Sequence, residues 1–258
     1  MGRARLNRVL AVAANTFRES VRERVLYNLV FFAVVLTVSS LVLKELSLRQ
    51  DEKIVKDVGL AAMDFFGTLI AVFIGVGLVS KEIERRSLYP LLAKPLSRDE
   101  FFVGKFLGLA FTLLVNTAVM TAGLAVTLLA TGRAFDPGLL KGIIPIYLGL
   151  MLTVAIALFF STVTSTTLAA VGTLCLCIAG RYSDILLHMK ADMGAAGGLV
   201  QFLYYVLPNF RNFDLKSQVV YGDPVAWSIV GQIGGYALVY TAVVMIAGAL
   251  AFRARDFV

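Results

Sequence analysis

Histidine and cysteine are almost missing from this chain: His188 is the only histidine, and Cys175 and Cys177 are the only cysteines. One histidine without clustered carboxylates does not make a metal site. Two cysteines two residues apart on a helix face different directions, which suits neither a disulfide nor a metal pair, and they read as small buried hydrophobes. The phosphate-cradling GxxxxGK[ST], the metalloprotease HExxH and the nucleophile elbow GxSxG are absent too. Gly104-Lys105 comes nearest to a phosphate loop, but it lacks the preceding glycine and the following Ser or Thr. No catalytic residue, no metal and no cofactor bound by this chain is therefore expected, and any energy from ATP must arrive through another subunit.

Charge is also scarce. Charged residues make up 16% of the sequence and hydrophobic ones 59%, the latter in long blocks, a composition that excludes a soluble domain. A helix needs about 20 mostly apolar residues to cross a bilayer. Six segments qualify: residues 26–43, 59–80, 106–130, 143–163, 166–187 and 227–253. The fifth is the least regular, because its apolar core ends at Gly180 and is followed by Arg181 and Asp184, one turn apart and able to neutralise each other. The run 195–207 is long enough only for a re-entrant segment, and Pro208 stops it. The expectation is an all-α polytopic membrane protein, a single domain over residues 1–258, with both termini on one side.

Positive charge identifies that side. Arg3, Arg5, Arg8, Arg18, Arg22 and Arg24 precede the first span, Lys81, Arg85, Arg86, Lys94, Arg98 and Lys105 lie between spans two and three, and Arg253 and Arg255 close the chain. By the positive-inside rule these regions are cytoplasmic. The outer loops at 44–57, 132–141 and 183–226 carry no such bias. The net charge of +7 is thus an orientation signal rather than a nucleic-acid footprint.

Residues 1–25 are too interrupted, by Asn15 and Arg18, for a signal peptide, so they are expected to be retained. Leu6, Val9, Leu10, Ala13, Phe17 and Val21 recur at helical spacing, with Arg8, Asn15, Arg18, Glu19 and Arg22 on another face. That pattern predicts an amphipathic helix along the cytoplasmic interface.

Residues 81–100 form a charged, proline-broken island between two apolar spans. Lys81, Glu82, Glu84, Arg85 and Arg86 continue the second helix beyond the hydrocarbon. Residues 87–93 fit a short surface helix with an exposed apolar side, ended by Pro95. Ser97-Arg98-Asp99-Glu100 then matches the S-x-x-E capping box and makes a stiff start to the third span.

These features resemble the permease subunits of type-2 ABC transporters. The resemblance rests on Lys81-Glu82-Ile83-Glu84-Arg85-Arg86-Ser87-Leu88, on Lys94-Pro95-Leu96-Ser97-Arg98-Asp99-Glu100 with Gly104-Lys105, on Phe17-Arg18-Glu19, and on the terminal Phe252-Arg253-Ala254-Arg255-Asp256-Phe257. It implies a permease of the bacterial inner membrane that pairs with a second permease copy and rests on an ABC ATPase subunit, which binds the ATP and Mg. It further implies that the island holds a coupling helix, with Glu82, Glu84, Arg85, Leu88, Tyr89, Leu91 and Leu92 on the ATPase. Arg18, Glu19 and Arg22 of the first helix would be a second contact. The family's route lies at the dimer interface, largely between spans two and five, under a re-entrant region that here falls within 188–226. Asp64, Phe66 and Phe73 are the residues of span two placed along it.

Several polar residues remain. Asn116 with Thr112, Thr117 and Thr121, and Gln232, are expected to join helices by hydrogen bonds. The glycine sets 75/77, 104/108 and 231/234/235 are expected to permit close helix approach. The polar run 161–167 predicts a short inner turn between spans four and five. Residues 209–224 with Phe210, Phe213 and Tyr221 read as an interfacial loop with an aromatic belt that includes Tyr204, Tyr205 and Trp227. The leading functional expectation is an ATP-driven exporter permease. An alternative is a membrane anchor through which ATPase strokes drive an envelope or motility process. A secondary transporter or intramembrane enzyme would need buried ionisable clusters, which the sequence offers only at Asp64 and at Arg181 with Asp184.

Overall fold

The computed structural model describes residues 2–22, 31–32, 51–84, 97–183, 198, 204 and 207–254, and these are almost entirely helical. The helices are α1 (Gly2–Arg22), α2 (Asp51–Glu84), α3 (Arg98–Ala130), α4 (Leu140–Val163), α5 (Thr166–Arg181), α6 (Lys216–Tyr221) and α7 (Trp227–Ala254). Short 3-10 turns at Pro137–Leu139 and Phe210–Phe213 precede α4 and α6.

Among the described residues, four stretches are long and apolar enough to cross a bilayer: Lys53–Gly77, Asp99–Ala130, Pro137–Val163 and Trp227–Arg253, with Thr166–Arg181 a shorter apolar helix. They correspond to the expected spans two, three, four, six and five in turn. The first expected span lies outside the described residues, except for Phe31 and Phe32.

The helices overrun the boundaries that hydropathy set. At about 1.5 Å per residue, the 34 residues of α2 reach about 51 Å, well beyond the hydrocarbon thickness of about 30 Å. Its N-terminal turns therefore take up Asp51 to Asp57, which the charge pattern had assigned to an outer loop. Likewise α3 starts at Arg98 rather than at residue 106, because the Ser97 capping box begins the helix in the charged island.

α4 is the centre of the packing, in contact with α2, α3, α5 and α7. It is apolar around its whole circumference, as a helix enclosed by others must be. The close approaches are made at small residues: a Cβ on Gly75 would lie 2.7 Å from the Ala157 Cβ, and one on Gly67 would lie 2.7 Å from a Leu150 methyl. The turn between the two helices falls where the polar run predicts it, with α4 ending at Val163 and α5 starting at Thr166. Ser161, Thr162 and Thr164 donate back to the carbonyls of Leu158, Phe159 and Phe160 there.

Two expectations about packing need correction. Thr112 and Thr121 do not join helices: each hydroxyl donates to a carbonyl four residues back, Gly108 and Thr117, because the nearest acceptor in an apolar helix is its own backbone. Asn116 has no hydrogen-bond partner among the described residues, and Gln232 is exposed. The polar bond that does tie α4 to α3 is Tyr147 Oη donating to the Ala110 carbonyl. Of the glycine sets, 104 and 108 and Gly75 are contact points. A Cβ on Gly77, Gly231 or Gly235 meets nothing within 4 Å among the described residues.

Candidate functional site

The first residues of α3 form a seam to which both α1 and the end of α7 are fixed. Ser97 is extended, and its hydroxyl accepts from the Glu100 N–H while the Glu100 carboxylate accepts from the Ser97 N–H, both at 3.3 Å, completing the capping box the sequence predicts. The same carboxylate accepts a fork from Arg8 of α1, with Nε at 3.0 Å and Nη2 at 2.9 Å. Hydrogen bonding to Glu100 holds the Arg8 guanidinium above its ordinary pKa. One residue earlier, Asp99 accepts a second fork from Arg253 at the end of α7. Phe252 stacks on Phe101 and Phe102 beside it.

Below this seam α1 runs along α3. Gly104 and Gly108 supply the groove: a Cβ on Gly104 would lie 2.7 Å from Val12 Cβ, and one on Gly108 would lie 2.6 Å from both Thr16 Cβ and the Ala13 carbonyl. Phe17 meets Phe111 edge to face at 4.9 Å, and Glu19 lies 3.8 Å from the buried Lys105 ammonium. The apolar stripe of α1 is thereby divided. Val9 and Ala13 turn toward α3 with Val12, Thr16 and Ser20, whereas Leu6, Leu10 and Val21 stay exposed.

Midway along the apolar span Lys53–Gly77 of α2, Asp64 is buried, and each of its oxygens has a cation. Oδ1 accepts from Arg181 Nη2 at 2.7 Å and Oδ2 from Lys216 Nζ at 2.6 Å. Lys216 is also 3.5 Å from Asp214. The 3-10 turn Phe210–Phe213 closes over this group because glycine lets it approach. A Cβ on Gly180 would lie 2.3 Å from the Pro208 carbonyl, and one on Gly149 3.3 Å from the Phe213 ring. Tyr236 accepts the Asn209 N–H at 2.7 Å and holds the turn from α7. Between the turn and the helices lies a cavity of roughly 180 Å³ lined by Asp64, Thr68, Thr153, Arg181, Arg211 and Phe213, among others.

The residues singled out in the sequence are thus distributed over two places. Arg18 is exposed on α1, Glu19 is turned toward Lys105, and Arg22 ends the helix. Glu82 and Glu84 belong to the last turn of α2 as helical backbone, and Arg85, Leu88, Tyr89, Leu91 and Leu92 lie outside the described residues. So does most of the expected re-entrant run. On α2, Asp64 faces the cavity, Phe66 is buried edge to face with Phe31 at 5.2 Å, and Phe73 is 63% exposed. The three do not converge on one spot. Asp184, the partner expected for Arg181, lies outside the described residues, and the partner seen is Asp64. Phe210 and Phe213 are core residues rather than belt residues, each 5% exposed. Sequence reading missed Lys216 and the Asp99–Arg253 fork; an Arg in the last turn of the final span was the only local signal for the latter.

A family model described as "ABC-2 family transporter protein" matches residues 10–257 of the chain. No curated protein gives a significant match.

Proposed function

The chain belongs to the ABC-2 family of transporter proteins, and from that premise we propose that it is the permease subunit of an ATP-driven exporter in a bacterial inner membrane. Its ATP and Mg sit on a separate ABC ATPase subunit, and a second permease copy completes the complex. The observation that carries the reading is the seam at Ser97–Glu100. An element that conveys force from a cytoplasmic motor must be stiff where it leaves the motor, and must move more than one helix. The capping box stiffens the exit of the island, while Arg8 binds α1 to Glu100 and Arg253 binds α7 to the adjacent Asp99.

In this reading the ATPase grips residues 81–100 through Glu82, Glu84, Arg85, Leu88, Tyr89, Leu91 and Leu92. Arg18 and Arg22 on α1, with Glu19 beside Lys105, make the second contact. ATPase closure displaces the cytoplasmic end of α2 and the start of α3 together, and α1 and α7 follow as one body. Leu6, Leu10 and Val21 present an apolar face to membrane lipid. The route follows α2, with Phe73 on its exposed face and Asp64 and Phe66 in its middle turns.

The test is a pull-down of the tagged chain in detergent with the ATPase encoded beside it, comparing wild type with Glu82→Ala plus Leu91→Asp. Stoichiometric ATPase on the wild type, lost from the folded double variant, is the expected result. Equal retention by both, or binding by neither, removes the coupling role of the island. An ATPase retained without any ATP-dependent solute movement in vesicles would shift the output from transport to mechanical work on the envelope.

A further inference from the structure

The 3-10 turn Phe210–Phe213 lies deep between the helices. Its Phe213 packs on Gly149, and the Asn209 N–H donates to Tyr236. At about 1.5 Å per residue, Gly149 is about 14 Å in from the start of α4 at Leu140, and Tyr236 about 14 Å in from the start of α7 at Trp227. On the same scale Asp64 is about 17 Å in from Lys53. These depths fall well inside a hydrocarbon layer of about 30 Å. Non-helical backbone is tolerated there only where protein buries it or where it lines water.

The side chains of the turn decide between the two. Phe210, Phe213 and Leu215 are buried, whereas Arg211, Asn212 and Asp214 between them are exposed. A turn facing lipid would present its apolar residues, and this one presents its polar ones. Across the cavity Arg181 holds Asp64 through Nη2 yet leaves 37% of its side chain exposed. Ionised groups exposed at such a depth are held in water, not in hydrocarbon. The space of roughly 180 Å³ has room for about six waters at about 30 Å³ each. Its lining sets Arg181 and Arg211 against Asp64 and Asp214, so it favours neither sign of charge.

We infer that a water-filled vestibule enters from the outer face between α2, α5 and the Phe210–Phe213 turn and ends at Asp64. It admits small hydrophilic molecules of either charge and excludes lipid. The proposed function enters only in calling that face outer, and the ATPase contact plays no part.

The experiment is thiol modification of the full-length chain carrying Cys175→Ser and Cys177→Ser, in sealed membrane vesicles of each orientation. Thr68→Cys puts a thiol on the cavity wall, where the native hydroxyl is 3.5 Å from Arg181 Nη2. Asn212→Cys puts one on the exposed side of the turn and keeps the test alive if the first variant fails to fold. Val239→Cys is the control, exposed on α7 at about 18 Å in from Trp227. Two membrane-impermeant methanethiosulfonates are used, one cationic and one anionic. Thiols ionise in water and not in hydrocarbon, so positions 68 and 212 should react about a hundredfold faster than 239, from the outer side. The two reagents should agree within about tenfold. Reaction at 68 and 212 no faster than at 239 in folded variants, or reaction from the seam side alone, overturns the vestibule. A preference of about a hundredfold for one reagent overturns its charge balance.

Discussion

Gly108→Val is the most informative change to the seam. A valine Cβ at this position starts 2.6 Å from the Ala13 carbonyl and 2.6 Å from Thr16 Cβ, whereas apolar atoms rest at about 3.5–4.0 Å. The obstacle is the backbone and Cβ of a helix, so no rotamer change relieves it, and α1 must withdraw by about 1 Å. Overpacking of this kind costs about 2 kcal/mol. The same withdrawal loosens the Phe17–Phe111 contact on one side and the Arg8–Glu100 fork on the other. Amide hydrogen exchange in detergent reads the effect directly: about 2 kcal/mol corresponds to about thirtyfold faster exchange across the α1 amides, with α4 unchanged. Gly235→Ala serves as the control, since its Cβ meets nothing within 4 Å. Protection of α1 that is equal in the folded Gly108→Val variant and the wild type would refute the docking of α1 on α3 and, with it, the seam.

Asp64→Ala leaves two cations without their shared carboxylate; loss of one partner from a buried pair costs about 3 kcal/mol, reduced because Arg181 is 37% exposed. Adding Lys216→Met should recover part of that loss in denaturant unfolding, and strict additivity of the two changes would show that the pair does not interact. Gly180→Ala drives a Cβ to 2.3 Å from the Pro208 carbonyl, so the Phe210–Phe213 turn should lift, about 2 kcal/mol should be lost, and proteolysis near residue 208 should accelerate. Ser97→Ala removes the cap of α3 at a cost of about 1 kcal/mol, and in the reconstituted complex it should lower transport per ATP hydrolysed more than ATPase binding. Mild oxidation should form no intrachain Cys175–Cys177 disulfide, because Cys175 is exposed while Cys177 is buried beside Thr153; loss of the mass of two hydrogens from the chain would contradict their placement on different faces of α5.

Patterns confined to a few turns were legible without a structure. Long apolar blocks required helices in a membrane, since a backbone in hydrocarbon must satisfy its own hydrogen bonds. The S-x-x-E signature placed the start of α3, and the polar run at 161–167 placed the turn between α4 and α5. Where hydropathy alone set a boundary it fell short, because a helix continues past the hydrocarbon as long as its backbone bonds and charges permit. Thr112 and Thr121 show the same limit from the other side, since polarity within a span does not reveal whether a hydroxyl bonds its own helix or another.

Thus the sequence by itself determined the class of the molecule, the order of its helices, the orientation signal of its basic ends and its family. Only the tertiary structure decided which distant residues meet. Asp64 takes its cations from positions 117 and 152 residues away, and Glu100 takes Arg8 from 92 residues away. Helical periodicity specifies the face on which a side chain stands, but a partner is specified only when two helices are brought together at small residues such as Gly104, Gly108, Gly149 and Gly180. The charges then pair because the apolar surroundings leave a buried ion no cheaper alternative.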